Sequence, residues 1–419
     1  MRSTFLIPAL VLLSVPYSLA QVTARNISEF QNTVYWTNWS VYARNYPPQK
    51  LPASEITQVL YSFMNVREDG TVFTGDTYAD TGLHFPTDSW TDMGNNAYGA
   101  VKQLGLLKRS HRHLKVVLSI GGWTWSTQFP SVAADPKKRA NFAQSAVTIM
   151  KNYGFDGIDI DWEYPVTATD ARNFILLLKA VRSELDLYSI RAASAYHFLL
   201  TAATPAGPKH YNILQLREMG EILDYVNVMT YDYAGGWDLS RTGHQGNLYA
   251  NPSNLESTPF STDRAIIDYT AAGVPTHKIV MGIPLYGRGF EGTSGLGRSA
   301  SGTSQGTWEA GVYDYKVLPL AGSVEKYDTV AGASYSEDTF NHRIVSYDTT
   351  ASVIKKLDYI RHKKLGGTMF WEASGDRNDS ASLIATCFNG QGGESTMDRT
   401  PNLLSYPESV YDNVRKGFV

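Results

Sequence analysis

Short apolar runs alternate with amphipathic helical patterns through most of the chain. Runs of about four to eight residues, rich in β-branched and aromatic side chains and bounded by turn residues, predict strands. Eight such runs predict strands at residues 33–36, 59–64, 115–120, 157–161, 198–203, 225–229, 279–283 and 367–371. Eight is the strand number of the (β/α)8 TIM barrel, so the pattern predicts an α/β fold of that kind.

The helical patterns between these strands have recognisable ends. Asp135 is suited to cap a helix that Pro136 begins and Gly154 ends, and the segment 170–187 repeats apolar residues at helical spacing. Alternation of strands and helices predicts a parallel sheet with right-handed crossovers. We favour a closed barrel over an open doubly wound sheet because no Gly-rich dinucleotide-binding turn follows the first strand.

One interval breaks the alternation. Between the seventh strand and a helix near residue 353 lie about sixty residues rich in Gly, Ser and Thr, a length that is uncommon for a structureless loop. Short strand-like pieces within it, such as 343–347, predict a small α+β insertion at 288–346, between strand 7 and helix 7. The barrel is then formed by residues 21–287 and 347–419.

Residues 1–20 predict a secretory signal peptide, so we expect a secreted, extracellular protein. Arg2 precedes an apolar run at 5–19, and small residues follow at the expected cleavage site after Ala20. A membrane anchor is the alternative, but the run is shorter than the ~20 residues that span a bilayer. Asn-x-Ser sequons, compatible with secretion and glycosylation, occur at Asn26, Asn38 and Asn378.

Charge and cysteine content narrow the choice of partners. The formal net charge is −3 and no basic stripe is present, which argues against nucleic acid. No later segment is apolar enough to cross a membrane, and we expect a monomer with no membrane partner. The single cysteine, Cys387, lies in an apolar helical pattern, which favours core packing over a catalytic thiol.

The segment 155–165 carries three carboxyl groups on one face of a predicted strand. Because side chains alternate along a strand, Asp159, Asp161 and Glu163 point one way and the intervening Ile and Trp side chains point the other. Carboxyl groups roughly 6–7 Å apart repel one another when ionised, which raises the pKa of at least one. Glu163 comes last, at the end of the strand where barrel active sites lie, so we predict that it is the proton donor.

Two other interpretations of the three carboxyl groups are disfavoured. Internal salt bridges are disfavoured because the segment offers no Arg or Lys as a partner. A divalent-metal site is also disfavoured, since the spacing of a calcium-binding loop is absent. We therefore expect neither a metal nor a cofactor.

The pattern Asp-x-x-Asp-x-Asp-x-Glu at 156–163 resembles the signature of family 18 glycoside hydrolases, the chitinases. The Ser-Ile-Gly-Gly sequence at 119–122, on the preceding strand, resembles the family's second signature. Further segments that resemble family positions, including the insertion domain and C-terminal end of fungal members, lie at 229–235, 286–288, 306–311, 369–372 and 406–413. The resemblance covers nearly the whole mature chain, in order.

This resemblance implies retaining, substrate-assisted hydrolysis of β-1,4 linkages in polymers of N-acetylglucosamine, namely chitin and chitooligosaccharides. Such enzymes are an exception to the scheme with two catalytic carboxylates. Glu163 would be the general acid/base, and the 2-acetamido oxygen of the substrate would attack the anomeric carbon. Asp161 would hold the acetamido N–H, Asp159 would take up a shared proton, and Tyr231 would donate a hydrogen bond to the acetamido oxygen.

Aromatic side chains are the candidates for sugar binding, because apolar sugar faces stack on flat rings. Trp371 ends a predicted barrel strand, and Trp123 and Trp237 follow glycines in loops at the active face, where binding residues concentrate. The resemblance adds further lining residues: Asp232, Met229, Arg288, Tyr164, Tyr35, Trp308 and Glu309. We expect core packing for Trp36, Trp39, Trp90, Trp125 and Trp162.

Two rival functions share part of this pattern. A chitinase-like lectin typically lacks the acid at the position of Glu163 or an Asp before it, whereas all three carboxyl groups are present here. An endo-β-N-acetylglucosaminidase acting on N-glycans would use the same chemistry. The predicted insertion and the Trp-bearing loops favour a linear chitin chain over an N-glycan.

Overall fold

The computed structural model describes residues 29–418. The predicted signal peptide and the sequon at Asn26 lie outside the described residues. The strands, in chain order, are β1 (Gln31–Thr37), β2 (Gln58–Val66), β3 (Val72–Thr74), β4 (Lys115–Gly121), β5 (Gly157–Asp161), β6 (Leu199–Pro205), β7 (Tyr225–Met229), β8 (Ile279–Pro284), β9 (Tyr286–Glu291), β10 (Val312–Asp314), β11 (Val324–Asp328), β12 (Ala333–Asp338), β13 (Arg343–Ser346) and β14 (Gly367–Trp371).

Eight of these strands close into a parallel barrel. Their order around it is β1-β14-β8-β7-β6-β5-β4-β2, and a second pairing, of β1 with β2, closes the ring. Strand β3 extends the sheet as an antiparallel neighbour of β2. All eight predicted strands are present, with each end within two residues of its predicted position. The predicted TIM-barrel fold is therefore confirmed.

Helices cover the barrel, and one of them begins at the capping residue that the sequence predicts. They are α1 (Gly99–Ser110), α2 (Phe129–Ala134), α3 (Pro136–Tyr153), α4 (Ala168–Ala192), α5 (Pro208–Tyr211), α6 (Leu216–Ile222), α7 (Thr262–Ala271), α8 (Thr350–Lys363), α9 (Leu383–Gly390) and α10 (Asp412–Arg415). The Asp135 carboxylate accepts hydrogen bonds from the first turn of α3, and Gly154 ends this helix in the left-handed conformation, φ 71°. Within residues 29–418, no helix is both long and apolar enough to span a bilayer.

The alternation of side chains along each strand divides the core into two layers. Ile158, Ile160 and Trp162 are buried between the barrel and its helices, where Trp162 stacks on Phe129 with ring centroids 5.5 Å apart. Cys387 lies in the same outer layer. The inner layer fills the barrel with residues from successive strands, among them Tyr35, Leu60, Val117, Leu199, Tyr225, Val280 and Met369. The row of Asp159 and Asp161 therefore faces this inner layer, because it alternates with the outward Ile residues.

A second sheet of five antiparallel strands follows β8. Its order is β10-β9-β13-β12-β11. The two strands that follow β8 in sequence, β9 and β10, therefore lie together at one edge of this sheet. Leu285 N donates to Trp371 O (2.8 Å) and Tyr315 N donates to Leu285 O (2.9 Å), which joins this sheet to the end of β14. The domain limits at 288 and 346 stay a prediction.

Candidate active site

The ends of β4 and β5 approach each other closely because two glycines end β4. Gly121 has φ 112°, and a Cβ there would lie 2.2 Å from the carbonyl oxygen of Asp161. The Gly122 N–H donates to that same oxygen at 2.8 Å, and a Cβ at Gly122 would meet the Phe63 ring at 2.7 Å. The paired glycines of the 119–122 motif therefore permit the backbone contact that holds the acidic strand.

Asp159 is fully buried inside the barrel and accepts hydrogen bonds from four strands. The donors are Tyr35 OH at 2.9 Å, Ser119 Oγ at 2.8 Å, Thr201 Oγ1 at 2.6 Å and Asn227 Nδ2 at 3.4 Å. Burial raises the pKa of Asp159, and the hydrogen bonds act in the opposite direction. Asp159, Asp161 and Glu163 together form what we call the carboxyl row. None of the ion pairs formed among residues 29–418 involves these three carboxyl groups.

Asp161 lies next along the row, and one of its buried carboxyl oxygens has no hydrogen-bond partner among the described residues. Burial, followed by the charges of Glu163 and Asp159, raises the pKa of Asp161 well above its usual range. A buried polar atom without a partner is uncommon in folded proteins, and it marks a position where a ligand can supply the missing hydrogen bond.

Glu163 follows β5 and is half-buried at the end of the row. Its N–H donates to Ser126 Oγ at 2.8 Å, which fixes the backbone where the strand ends. Burial raises the pKa of Glu163 to about 7, with a smaller contribution from the charge of Asp232, while hydrogen bonds from Tyr164 and from the backbone of Trp123 oppose the shift. A carboxylic acid with this pKa is poised to donate a proton near neutral pH.

A second group of polar residues lies near Glu163. The Asp232 carboxylate accepts hydrogen bonds from Tyr286 OH at 2.7 Å and from Arg288 Nε at 2.9 Å. Arg288 also lies 3.6 Å from the Glu309 carboxylate. Tyr231 is buried beside them. Burial raises its pKa, and the neighbouring Tyr286 hydroxyl and the carboxylates of the site add to this.

Aromatic rings form the floor of the site. Trp371, at the end of β14, stacks on Phe63 with ring centroids 5.6 Å apart and an interplanar angle of 21°. Tyr35 packs against the edge of the same Trp371 ring at 5.2 Å, so Tyr35 contributes both to the floor and to the hydrogen bonding of Asp159. Met229 is partly buried against this inner cluster.

Three further tryptophans of the predicted set are exposed. Trp123 is 76 % exposed and lies 6.5 Å from the Tyr164 ring, on the Glu163 side of the floor. Trp237 is 60 % exposed, and the guanidinium of Arg288 lies 5.0 Å from its ring centre. Trp308 is half exposed in the segment between β9 and β10, and its indole N–H donates to Asp314 at 2.9 Å.

The structure therefore brings the predicted carboxyl row, Tyr231, the Asp232–Arg288–Glu309 group and the aromatic side chains to one end of the barrel. Sequence reasoning did not single out Phe63, Thr201, Asn227 or Ser126. Each of these lies on or just after a strand, but nothing local distinguishes it from an ordinary core or turn residue. Their contacts with the carboxyl row and the floor depend on pairing between distant strands.

The expectation of core packing holds for some tryptophans and is wrong for others. Trp36 and Trp162 are buried in the outer layer. Trp39, in contrast, is 40 % exposed and lies 6.4 Å from Phe63 at the border of the floor. Trp90 is 81 % exposed and stacks on His84.

Within residues 29–418, no group of three or more His, Cys, Asp or Glu side chains is placed to hold a metal ion.

A row of buried carboxyl groups at the C-terminal end of a barrel strand, ending in an acid with a pKa of about 7 beside an aromatic floor, defines a glycoside hydrolase on a TIM barrel. Residues 31–376 match the family model described as glycosyl hydrolases family 18. The chain belongs to this family, which confirms the resemblance stated from the sequence.

Individual relatives agree with this assignment. The chain is 54% identical to Chitinase 1 of Aphanocladium album over 98% of this chain and 96% of that one. It is also 54% identical to Endochitinase 1 of Metarhizium robertsii, over 94% and 92% of the two chains. Among solved structures, the catalytic domain of a psychrophilic chitinase B from Arthrobacter superposes with a TM-score of 0.82 at 30% identity, covering 90% of this chain and 98% of that domain.

Proposed function

We propose that this protein is a secreted chitinase that hydrolyses β-1,4 linkages between N-acetylglucosamine units, with Glu163 as general acid/base. The observation that carries the proposal is the carboxyl row. Glu163, with a pKa of about 7, ends this row beside the Trp371 floor. The two fungal relatives are named chitinase and endochitinase, and this chain matches them over nearly their whole lengths. Their names support chitin as the substrate class.

In the proposed first step, the protonated Glu163 donates its proton to the glycosidic oxygen. The acetamido oxygen of the sugar on the floor attacks the anomeric carbon as the bond to the leaving sugar breaks. The product is a cyclic oxazolinium ion, and Glu163 is left as a carboxylate. In the second step this carboxylate takes a proton from water, whose oxygen attacks the same carbon as the bond from that carbon to the acetamido oxygen breaks. The acetamido group is restored, and the configuration at the carbon is retained overall.

Asp161 is proposed to accept the acetamido N–H and to stabilise the positive charge of the intermediate. The buried carboxyl oxygen that lacks a partner supports this role, because it is free to accept one more hydrogen bond. Asp159 is proposed to take up the proton shared within the row. Burial favours its protonated form and the four hydrogen-bond donors favour its ionised form, so the two influences oppose each other. Tyr231, also buried, is proposed to donate to the acetamido oxygen.

The remaining predicted residues are proposed to form the sugar-binding groove. Trp371 supports the sugar that is cleaved, and exposed aromatic rings extend the surface on either side of it. Rings of this exposure offer apolar faces for stacking at little conformational cost. The other side chains proposed to contact the bound chitin chain are Tyr35, Tyr164, Met229, Asp232, Arg288 and Glu309.

The test compares the purified protein with Glu163→Gln on soluble chitooligosaccharides, following the anomer released first. We expect the β-anomer from the unsubstituted enzyme and a loss of rate of roughly a hundredfold or more in the variant. Glu218→Gln is the matched control, since Glu218 is an exposed carboxylate on α6. Absence of cleavage by the unsubstituted protein, with oligosaccharide binding retained, would leave a lectin instead of an enzyme.

Secretion is tested separately from catalysis. If the signal peptide is removed as proposed, protein recovered from the medium begins at Gln21. Protein that keeps residues 1–20 and stays with the cells would contradict this part of the proposal without touching the chemistry of Glu163.

A further inference from the structure

Arg44 joins three parts of the chain that are far apart in sequence. It lies after β1, and its Nη1 reaches Asp314 Oδ1 of the second sheet at 3.2 Å. The same nitrogen lies 3.2 Å from Glu372 Oε1 and 3.3 Å from Ser374 Oγ, just beyond the end of β14. One guanidinium thus connects a barrel loop, the second sheet and the residue that follows the floor Trp371.

The carboxylates that Arg44 contacts are buried. The side chains of Asp314 and Glu372 are 6 % and 8 % exposed. Burial raises the pKa of Glu372, and the charge of Arg44 is the main influence that opposes this. Lys316 supplies a second positive charge, with its Nζ 3.3 Å from Asp314 Oδ2. Because a buried carboxylate without a partner is strongly unfavourable, these contacts hold the second sheet against the end of β14.

The same cluster fixes the ring of Trp308. The indole N–H donates to Asp314 Oδ2 at 2.9 Å, and the guanidinium of Arg44 lies 4.9 Å from the ring centre. An indole held by its N–H and covered on one face by a cation has little freedom to rotate. Trp308 nevertheless stays 47 % exposed, so the part of the ring not covered by Arg44 faces solvent.

The place of Trp308 relative to the floor suggests what this surface contacts. Glu372 directly follows Trp371, and the neighbouring Glu309 lies near Arg288, which binds Asp232 in the site. Trp308 is therefore linked through Arg44 to the residue that follows Trp371, and it is adjacent in sequence to the Glu309 that lies near Arg288. Trp308 is in contact with Arg44, whereas Trp123 lies beside Tyr164, the residue that follows Glu163.

We propose that Arg44 is a positioning residue for chain-length specificity. It holds Trp308 against a sugar of the same chitin chain that lies beyond the one on Trp371. This inference rests on the proposed function, because it takes an N-acetylglucosamine oligomer as the ligand. Arg44 does not itself need to touch the sugar, because it acts through the orientation of Trp308. The cluster thus makes binding of long chains tighter than that of chains too short to reach Trp308.

The experiment measures binding of chitotriose and chitohexaose by calorimetry, with all variants made in the Glu163→Gln protein so that the ligands survive. We expect Arg44→Met to weaken hexamer binding by roughly three- to tenfold, the range for loss of an oriented aromatic contact, and to change trimer binding less than twofold. In the active enzyme the same change should raise KM for the hexamer and leave kcat nearly unchanged.

A double variant separates positioning from general destabilisation. If Arg44 acts through Trp308, Arg44→Met should weaken hexamer binding no further once Trp308→Ala is present. Arg343→Met is the matched control, since Arg343 has the same 19 % side-chain exposure and a 3.2 Å ion pair with Asp338 in the same sheet. Should Arg44→Met fail to fold, Arg44→Lys keeps the charge but loses the planar stacking surface, and the same hexamer-specific loss is expected.

Equal losses for trimer and hexamer, additive losses in the double variant, or a similar loss in Arg343→Met would each overturn the inference. The proposed function fails on a different observation. If unsubstituted enzyme does not cleave the trimer or the hexamer, the chemistry assigned to Glu163 is wrong, whatever Arg44 does.

Discussion

Replacing Asp232 with Asn should move the alkaline limb of the pH–rate profile to lower pH. A general acid works only while it is protonated. With the pKa of Glu163 at about 7, the protonated fraction falls from roughly nine-tenths at pH 6 to roughly a tenth at pH 8. In the unsubstituted enzyme, kcat/KM should fall in proportion to this fraction, approaching a tenfold loss per pH unit well above pH ~7.

The sign of the shift follows from the charges around the site. The charge of Asp232 contributes to the raised pKa of Glu163, so removing it lowers that pKa. Asn keeps an oxygen that can accept the hydrogen bonds of Tyr286 and Arg288, so the geometry is preserved. It also leaves the charge of Arg288 without its partner at 2.9 Å, which favours ionised Glu163 and lowers the pKa further.

The assay is kcat/KM from pH 5 to 9 on unmodified chitooligosaccharides, because an activated leaving group would not need the acid. The absolute rate of the variant falls as well, since Asp232 is a proposed binding residue, but the position of the limb is independent of that loss. Asp268→Asn is the matched control: Asp268 also accepts from a Tyr hydroxyl and an Arg Nε, but on α7 outside the site. A limb that stays in place, or moves to higher pH, in Asp232→Asn would refute the reasoning.

Two other predictions concern stability and modification. Lys108→Met should lower the free energy of unfolding in urea by about 3–5 kcal/mol, because Lys108 and Asp156 form a 2.7 Å ion pair with both side chains fully buried. Lys326→Met, which removes a more exposed ion pair, should lower it by less than about 1 kcal/mol. Equal losses in the two variants would contradict this prediction. In protein secreted from a eukaryotic host, peptide mass spectrometry should find glycan on Asn378, which is exposed, and none on Asn38, whose buried amide donates to Asp80 at 2.9 Å; glycan on Asn38 would contradict the placement.

The sequence predicted those features that depend on short-range patterns. The helix between Asp135 and Gly154 begins and ends where predicted, because capping is a matter of one side chain and the next turn. The carboxyl row could be recognised for the same reason. Its members follow one another at a period of two along β5 and just past its end, so the inward direction of one carries over to the next.

The surroundings of Asp159 could not be predicted in this way. Its hydrogen-bond donors lie on four different strands and are separated from it in sequence by 40 to 124 residues. A Ser or Thr inside a strand is compatible with many positions in a core, and only the register between strands decides which hydroxyl reaches the carboxylate. Tryptophan exposure has the same limit: Trp36 and Trp39 are three residues apart in sequence, yet Trp36 is buried and Trp39 is 40 % exposed.

The barrel topology explains why one side of the groove was easier to predict than the other. Residues at or just after the ends of β4, β5 and β14 are gathered at one end by strand pairing, so Trp123, Glu163 and Trp371 could be placed there from the strand pattern alone. Trp308 lies between β9 and β10 of the second sheet and depends for its orientation on Arg44. Both side chains contact Asp314, which is 270 residues away from Arg44 in sequence. If the Arg44 cluster sets the preference for long chains, that preference depends on the docking of the second sheet and can change while the catalytic row stays the same.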